Sequence, residues 1–307
     1  MQFFLFSFFK TNFVFTYYKQ SSSKRLIMKL DMKLFIKSGL ACCRLCIIVL
    51  SLLLVSLHTY GQKDIAHKKG DFFVYWGWNL DAYTHSDIRF WGNDYDFMLH
   101  DVNASDRQSR MNYHNYLQPN RVTIPQTNFR LGYFIKDNLA LSFGVDHMKY
   151  VMEKDQVVRA VGYNNRPGYE QIGDRDLKLT EDFLQFEHTD GLNYINFEIE
   201  NYKNLYTKDF FKLNALVGGG AGFLLPRTNA TLMDFERHDD FHLAGWGIAA
   251  KIGIEFSFWN VFSLRSEGKQ GYIDMPNIRT TKFKEDKASQ HFFFAQLNYT
   301  LGFNWRF

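Results

Sequence analysis

The stretch Tyr299-Thr300-Leu301-Gly302-Phe303-Asn304-Trp305-Arg306-Phe307 decides the fold. Its odd positions are all large and apolar, and its even positions are small or polar. Side chains of a β-strand point alternately to opposite faces, so a period of two describes a strand with one greasy face and one wet face. A helix would scatter the same apolar residues around its circumference.

The same parity recurs upstream in residues 72–80, 128–135, 139–146, 194–200, 211–217, 246–258 and 262–269, which makes eight strands. Short polar turns at 136–138, 206–209 and 259–261 join three pairs of them. The other connections are long and polar, the longest surface segments being 96–126 and 153–187. Alternating short and long connections belong to an all-β, antiparallel, up-and-down barrel with both termini at the short-turn end.

The wet faces tell a barrel in a membrane from a soluble sandwich. They carry Arg130, Lys212, Lys251, Arg265 and Lys269 beside Asp146, Glu198, Glu200, Glu255 and Glu267, with Gly132, Gly144, Gly253 and Gly302 between them. A soluble barrel puts its charges outside and its apolar residues in a core. Small residues with balanced charges suit a narrow lumen, where an unpaired charge is costly. The expectation is a transmembrane β-barrel whose lumen is filled by these ten side chains, as eight strands dictate. Trp76, Trp78, Tyr133, Trp246, Trp259 and Trp305 fall near strand ends, where a membrane girdle sits.

The last strand, with Tyr299, Leu301, Phe303 and Trp305 alternating toward a final Phe307, resembles the sorting signal of outer-membrane barrels. The chain is similar to small outer-membrane β-barrel proteins of Gram-negative bacteria, and in architecture it resembles the eight-stranded outer membrane protein A type. The resemblance implies the outer membrane as its location, and outer-membrane lipid, lipopolysaccharide and the barrel assembly machinery as partners. It implies no activity.

Residues 45–57 form an apolar run preceded by Lys33, Lys37 and Arg44 and followed by the small-x-small pattern Thr59-Tyr60-Gly61. A spanning helix needs about 20 apolar residues, so this run reads as the core of a signal peptide. The expected division is an over-long leader, 1–61, and a barrel domain, 62–307. Cys42, Cys43 and Cys46 precede or open the apolar run, whereas a lipidated cysteine follows it. The barrel domain holds no cysteine and relies on no disulfide. The leader carries eight of the 36 Lys and Arg but one of the 32 acids, so the formal charge of +4 belongs to it. Nucleic-acid binding gains no support from such a charge.

Four polar clusters share the long-loop end: Asp146-His147, Glu187-His188-Thr189-Asp190, His238-Asp239-Asp240-Phe241-His242 and Ser289-Gln290-His291. An imidazole with a carboxylate and a hydroxyl can run acyl transfer by general-base activation. The candidate catalytic set is therefore His188, Asp190, His242, Ser289 and His291, for an acyl hydrolase or acyltransferase acting on lipid A or phospholipid. Against it, polar rims ordinarily solvate a barrel, and Ser289-Gln290-His291 reverses the His-x-Ser order of lipid A deacylases. A structural or surface-interaction role is expected, with the lipid-modifying enzyme and a narrow channel as alternatives. His238 and His242 would stand about 13 Å apart on a strand, too far to share an ion, and neither a metal site nor a cofactor is expected. The run Gly218-Gly219-Gly220-Ala221-Gly222 lacks the Lys and Ser or Thr of a phosphate loop and points to close packing or a strand kink.

Overall fold

The computed structural model describes residues 4–9, 12–17, 27–31, 65–109, 115, 125–170 and 172–306. The chain divides into two compact units, Met1–Lys63 and Asp64–Phe307. In the first, β1 (Phe4–Phe9), β2 (Asn12–Tyr17) and β3 (Ile27–Asp31) pair in the order β1-β2-β3. The apolar run 45–57, the cleavage pattern 59–61, Cys42, Cys43, Cys46 and the terminal Phe307 lie outside the described residues.

The second unit contains β4 (Phe72–Tyr83), β5 (Ser86–Trp91), β6 (Tyr95–Val102), β7 (Ala104–Ser105), β8 (Thr127–Lys136), β9 (Leu139–Met152) and β10 (Val157–Asn164). It continues with β11 (Arg175–Lys178), β12 (Leu184–Lys208), β13 (Phe211–Leu224), β14 (Asn229–Leu232), β15 (Gly245–Phe258), β16 (Phe262–Arg279) and β17 (Lys287–Trp305). Eight of these form an antiparallel ring, β4-β8-β9-β12-β13-β15-β16-β17. β17 closes it on β4, from Trp305 against Phe72 to Phe294 against Tyr83. Closure leaves no free edge in the ring, a requirement for any sheet in hydrocarbon.

Parity along β17 shows what surrounds the ring. Phe293, Leu297, Tyr299, Leu301 and Phe303 are 38 to 61 % exposed, while Gln296, Asn298 and Thr300 between them are buried. On β15, Trp246, Ile248, Ile252 and Ile254 point out and Lys251 and Glu255 point in. Phe293 to Phe303 covers about 33 Å of strand, or roughly 25 Å along the barrel axis at the usual tilt. That is the height of the apolar band of an outer-membrane barrel, and water-soluble surfaces rarely carry so large an apolar patch. Trp259 and Trp305 stand at the short-turn end of this belt. Trp76 and Trp78, expected at an edge, stand within it, opposite Leu301 and Tyr299.

Beyond the belt the pairing changes. Lys287 to Gln290 of β17 pair with β5 instead of β4, and β6, β10 and β11 extend the sheet from there. Across from them, β14 adds to β12 and β7 to β9. The two groups of strands pack face to face, with Phe90 against Phe186 (ring centroids 5.4 Å), Phe97 against Phe183 (6.1 Å) and Phe292 against Tyr150 (5.0 Å). The segments 96–126 and 153–187, expected as open loops, therefore contribute strands to a packed cap. Its inward residues are apolar: on β16, Arg265, Glu267 and Lys269 face inward within the belt, while Ile273 and Met275 do so above it. Lipid outside the belt draws apolar side chains outward, and water outside the cap drives them in.

Candidate functional site

Four cations and four carboxylates form one connected network in the belt-level lumen. Arg130 Nη2 lies 3.0 Å from Glu198 and 3.7 Å from Asp146. Lys269 Nζ contacts Asp146 and stands 2.6 Å from Glu198. Lys251 Nζ sits among Glu198 (2.8 Å), Glu267 (3.2 Å) and Glu200 (3.3 Å), and Arg265 bridges Glu200 (2.8 Å) and Glu267 (2.5 Å). All eight are buried. Such charges are tolerated in a confined interior only when paired, and each of the eight has at least one ion-pair partner.

The glycines of β13 make the room. Gly218, Gly220 and Gly222 stand in register with Glu200, Glu198 and Asn196 of β12. A Cβ on Gly220 would lie 1.9 Å from the Phe197 carbonyl oxygen and 2.8 Å from Glu198 Cγ. Close packing, not phosphate binding, accounts for this run.

Toward the short-turn end the lumen is filled by Phe73, Tyr75, Phe134 and Tyr202. His67 enters from the N-terminal side, with Nε2 2.7 Å from Glu255 and its ring stacked on Phe134. Glu255 thus pairs with His67 at the edge of the network. Lys212 lies outside it, donating to the carbonyls of Ile65 (3.0 Å) and Ala66 (3.2 Å). Toward the cap, Asn79, Asn128, Gln126 and Gln296 form a ladder of amides linking Asp146 to Asp81, and above it comes the apolar core.

The five candidate catalytic residues are dispersed. His188 is wholly buried in the cap, with Nδ1 2.9 Å from Thr228 Oγ1 and its ring against Phe186 and Tyr150. Desolvation pulls its pKa down to about 4, so the ring is neutral at pH 7. Asp190 is exposed, 3.8 Å from Arg227 and 3.9 Å from Arg237. Ser289 and His291 lie on the outer face of β17, in register with Arg89 of β5 and Asp274 of β16. His188 and Ser289 therefore occupy opposite sides of the wall. Among the described residues, no hydrogen bond or ion pair joins any two of the five. His242 and His238 lie in the irregular segment before β15, and each has a shielded Nε2 that finds no hydrogen-bond partner. Desolvation and the nearby Arg279 guanidinium hold both imidazoles below their ordinary pKa.

A cluster that the sequence reading did not single out surrounds His291. His100 Nδ1 is 2.9 Å from Asp87, and His85 Nδ1 is 2.9 Å from Asp101. With His291, the residues His85, Asp87 and Asp101 line a cleft of about 270 Å³. Desolvation pushes the Asp87 carboxyl up, but the Asp101 N–H, His100 and His291 hold it below the usual range. The signal that could have found it is a His and an Asp close together in each of two neighbouring segments, His85-Ser86-Asp87 and His100-Asp101, which the β5–β6 hairpin pairs crosswise. Among the described residues, no three His, Cys, Asp or Glu side chains are placed to hold a metal ion. On the last strand, Tyr299, Leu301 and Phe303 face outward, and Trp305 stacks on Phe72 at 5.7 Å.

No protein-family profile matches the chain, and no curated protein sequence does. Solved structures do. Outer membrane protein AlkL, determined by solid-state NMR in DMPC bilayers, is 10% identical, with 81% of this chain and 97% of that one covered and a TM-score of 0.38. OprG of Pseudomonas aeruginosa is 12% identical over 77% of this chain and 97% of its own, with a TM-score of 0.31. The N-terminal β-barrel domain of Pseudomonas aeruginosa OprF is 8% identical over 78% and 100%, with a TM-score of 0.28. The chain is similar to these small outer-membrane barrels in fold, an all-β antiparallel ring of eight strands.

Proposed function

We propose that this protein is a Gram-negative outer-membrane barrel whose role is carried by its cap, as a structural or surface-interaction element at the cell exterior. The observation that supports this is the filling of the lumen at every level: aromatic residues and His67, the ion-pair network, the amide ladder and the apolar core. Short turns and both termini mark the periplasmic end of such barrels, which puts the cap outside the cell. Its surroundings there are outer-leaflet lipid and lipopolysaccharide, and the outward aromatics of β17 suit recognition by the assembly machinery. A conduit needs an open, wet path, and a lipid-modifying enzyme needs a nucleophile and a base within hydrogen-bond reach.

The test is conductance. The purified, folded protein inserted into planar bilayers is expected to add no unitary current steps. Stable porin-like steps would overturn this reading in favour of a channel. Lipid A profiles by mass spectrometry are expected to be the same with wild-type protein and with Ser289→Ala, and a product peak lost in the variant would favour the enzyme.

A further inference from the structure

We infer that the lipid-facing wall made by β15, β16, β17 and β4 is an interface between two copies of this chain, centred on Gln270 and related by a twofold axis along the membrane normal. The inference rests on the outer-membrane fold and not on what the cap does.

The outward column of β16 breaks the apolar belt. Within the belt β15 turns Ile248, Ile252 and Ile254 toward lipid, and β17 turns Leu297, Tyr299 and Leu301. Between them β16 turns Ser266, Gly268 and Gln270 outward. Gln270 stands opposite Ala250 on one side and Ala295 on the other, and Ala295 lies between Phe293 and Leu297 inside the belt. The Gln270 side chain is exposed, and among the described residues no hydrogen bond reaches its amide. A carboxamide left unbonded in hydrocarbon is costly. Between membrane-spanning segments, polar groups with small neighbours are where chains adhere.

The neighbours of Gln270 are small. Strand register carries one row across the wall from Ala82 of β4 through Ala295, Gln270 and Ala250 to Gly219 of β13. Bulkier residues flank that row, with Phe293, Tyr272 and Ile248 on the cap side and Leu80, Leu297 and Ile252 on the other. The result is a groove, two contiguous clefts of about 710 and 600 Å³ that share Ala82, Ala250, Gln270 and Ala295. Beside Gln270, a Cβ on Gly268 would meet nothing within 4 Å.

Depth selects the occupant. Two copies in one membrane share an orientation, so the axis relating them runs along the membrane normal and every residue keeps its depth across the contact. Near that axis Gln270 meets Gln270 of the second copy. A carboxamide carries both donors and an acceptor, so the two amides answer each other with a reciprocal pair of N–H to O=C bonds. Such self-complementary contacts are the rule in twofold dimers. Acyl chains would fill the groove but leave the amide without a partner.

The test is sedimentation equilibrium of the folded full chain in density-matched neutral detergent, with heat-modifiable mobility showing that each variant has folded. Wild-type protein is expected to associate to a dimer and no further. In Gln270→Leu, whose side chain suits lipid better, the dissociation constant is expected to rise about tenfold, as for loss of two modest hydrogen bonds. Gly268→Phe, which fills the groove, is expected to weaken association as well. A disulfide needs Cα atoms within about 7 Å, which like residues reach only beside a twofold axis. With Cys42, Cys43 and Cys46 changed to serine, Gln270→Cys is therefore expected to give an oxidised dimer in outer membranes. Phe143→Cys, outward on β9 across the ring, is expected to give none. A wild type that stays monomeric, or association undiminished in both groove variants, overturns the interface. A monomer carrying bound lipid that Gly268→Phe releases assigns the groove to an acyl chain and overturns it too.

Discussion

Lys251→Met probes the lumen network most directly. The substitution keeps the length of the side chain and removes a charge held 2.8 Å from Glu198, 3.2 Å from Glu267 and 3.3 Å from Glu200. Four cations then become three against four carboxylates. Each carboxylate keeps a partner: Glu198 retains Arg130 and Lys269, and Glu200 and Glu267 retain Arg265. Deleting one partner from a buried ion pair costs about 3–5 kcal/mol, and the surviving contacts put this case near the lower figure. At a urea slope of about 1–3 kcal/mol per molar, the midpoint drops by roughly 1–3 M. The assay is the fraction of fast-migrating, heat-modifiable band against urea concentration in lipid or detergent. Adding Glu267→Gln restores three against three, and the double variant should recover at least about 1 kcal/mol relative to the sum of the single changes. A negligible shift for Lys251→Met, or strict additivity in the double variant, would refute an electrostatically closed network.

His188 titrates at about 4 in the folded cap, below the ordinary value near 6.5 of an unfolded chain. Its neutral form stabilises the fold above pH 6.5, and that stability is lost as pH falls toward 4, by about 3 kcal/mol; His188→Gln should flatten the urea midpoint over this range by a similar amount. Gly220→Val, which drives a methyl-bearing Cβ into the Phe197 carbonyl and Glu198, should abolish the folded band, whereas Gly268→Ala, with open space around its Cβ, should leave it intact. Phe90→Ala removes a fully buried cap ring and should cost about 3–5 kcal/mol, read as faster proteolysis between β5 and β6 with heat-modifiable mobility retained.

The ring was legible because its strands separate lipid from lumen, and parity reports that separation without reference to neighbours. On β17 the even residues face inward throughout, so the orientation of Ser289 and His291 away from the interior follows from the same count that identified the strand. The cap was harder to read. Tyr95, Phe97 and Leu99 alternate with Asp96, Met98 and His100 on β6, yet the stretch sits within a polar connection and its partners on β10 lie 59 to 69 residues on. Bulges hid more. Register slips between His188 and Leu192, beside Gly191 at φ +132°, and between Met275 and Ile278. The second slip sets Arg279 opposite Lys287, a pairing that no periodicity announces.

The layering of the wall has a consequence for strand alignment. In a barrel of uniform outside and uniform inside, a slip of one residue exchanges the faces and is forbidden, but a slip of two restores them and is weakly opposed. Here the inward column of β16 passes from Arg265, Glu267 and Lys269 to Ile273 and Met275, and that of β17 from Thr300, Asn298 and Gln296 to Phe294 and Phe292. Sliding one past the other by two positions would set Phe294 beside Lys269 and leave Ile273 next to an amide-bearing level. Vertical zoning therefore encodes the stagger of the strands as well as their facing, and with it the shear that fixes the girth of the closed ring.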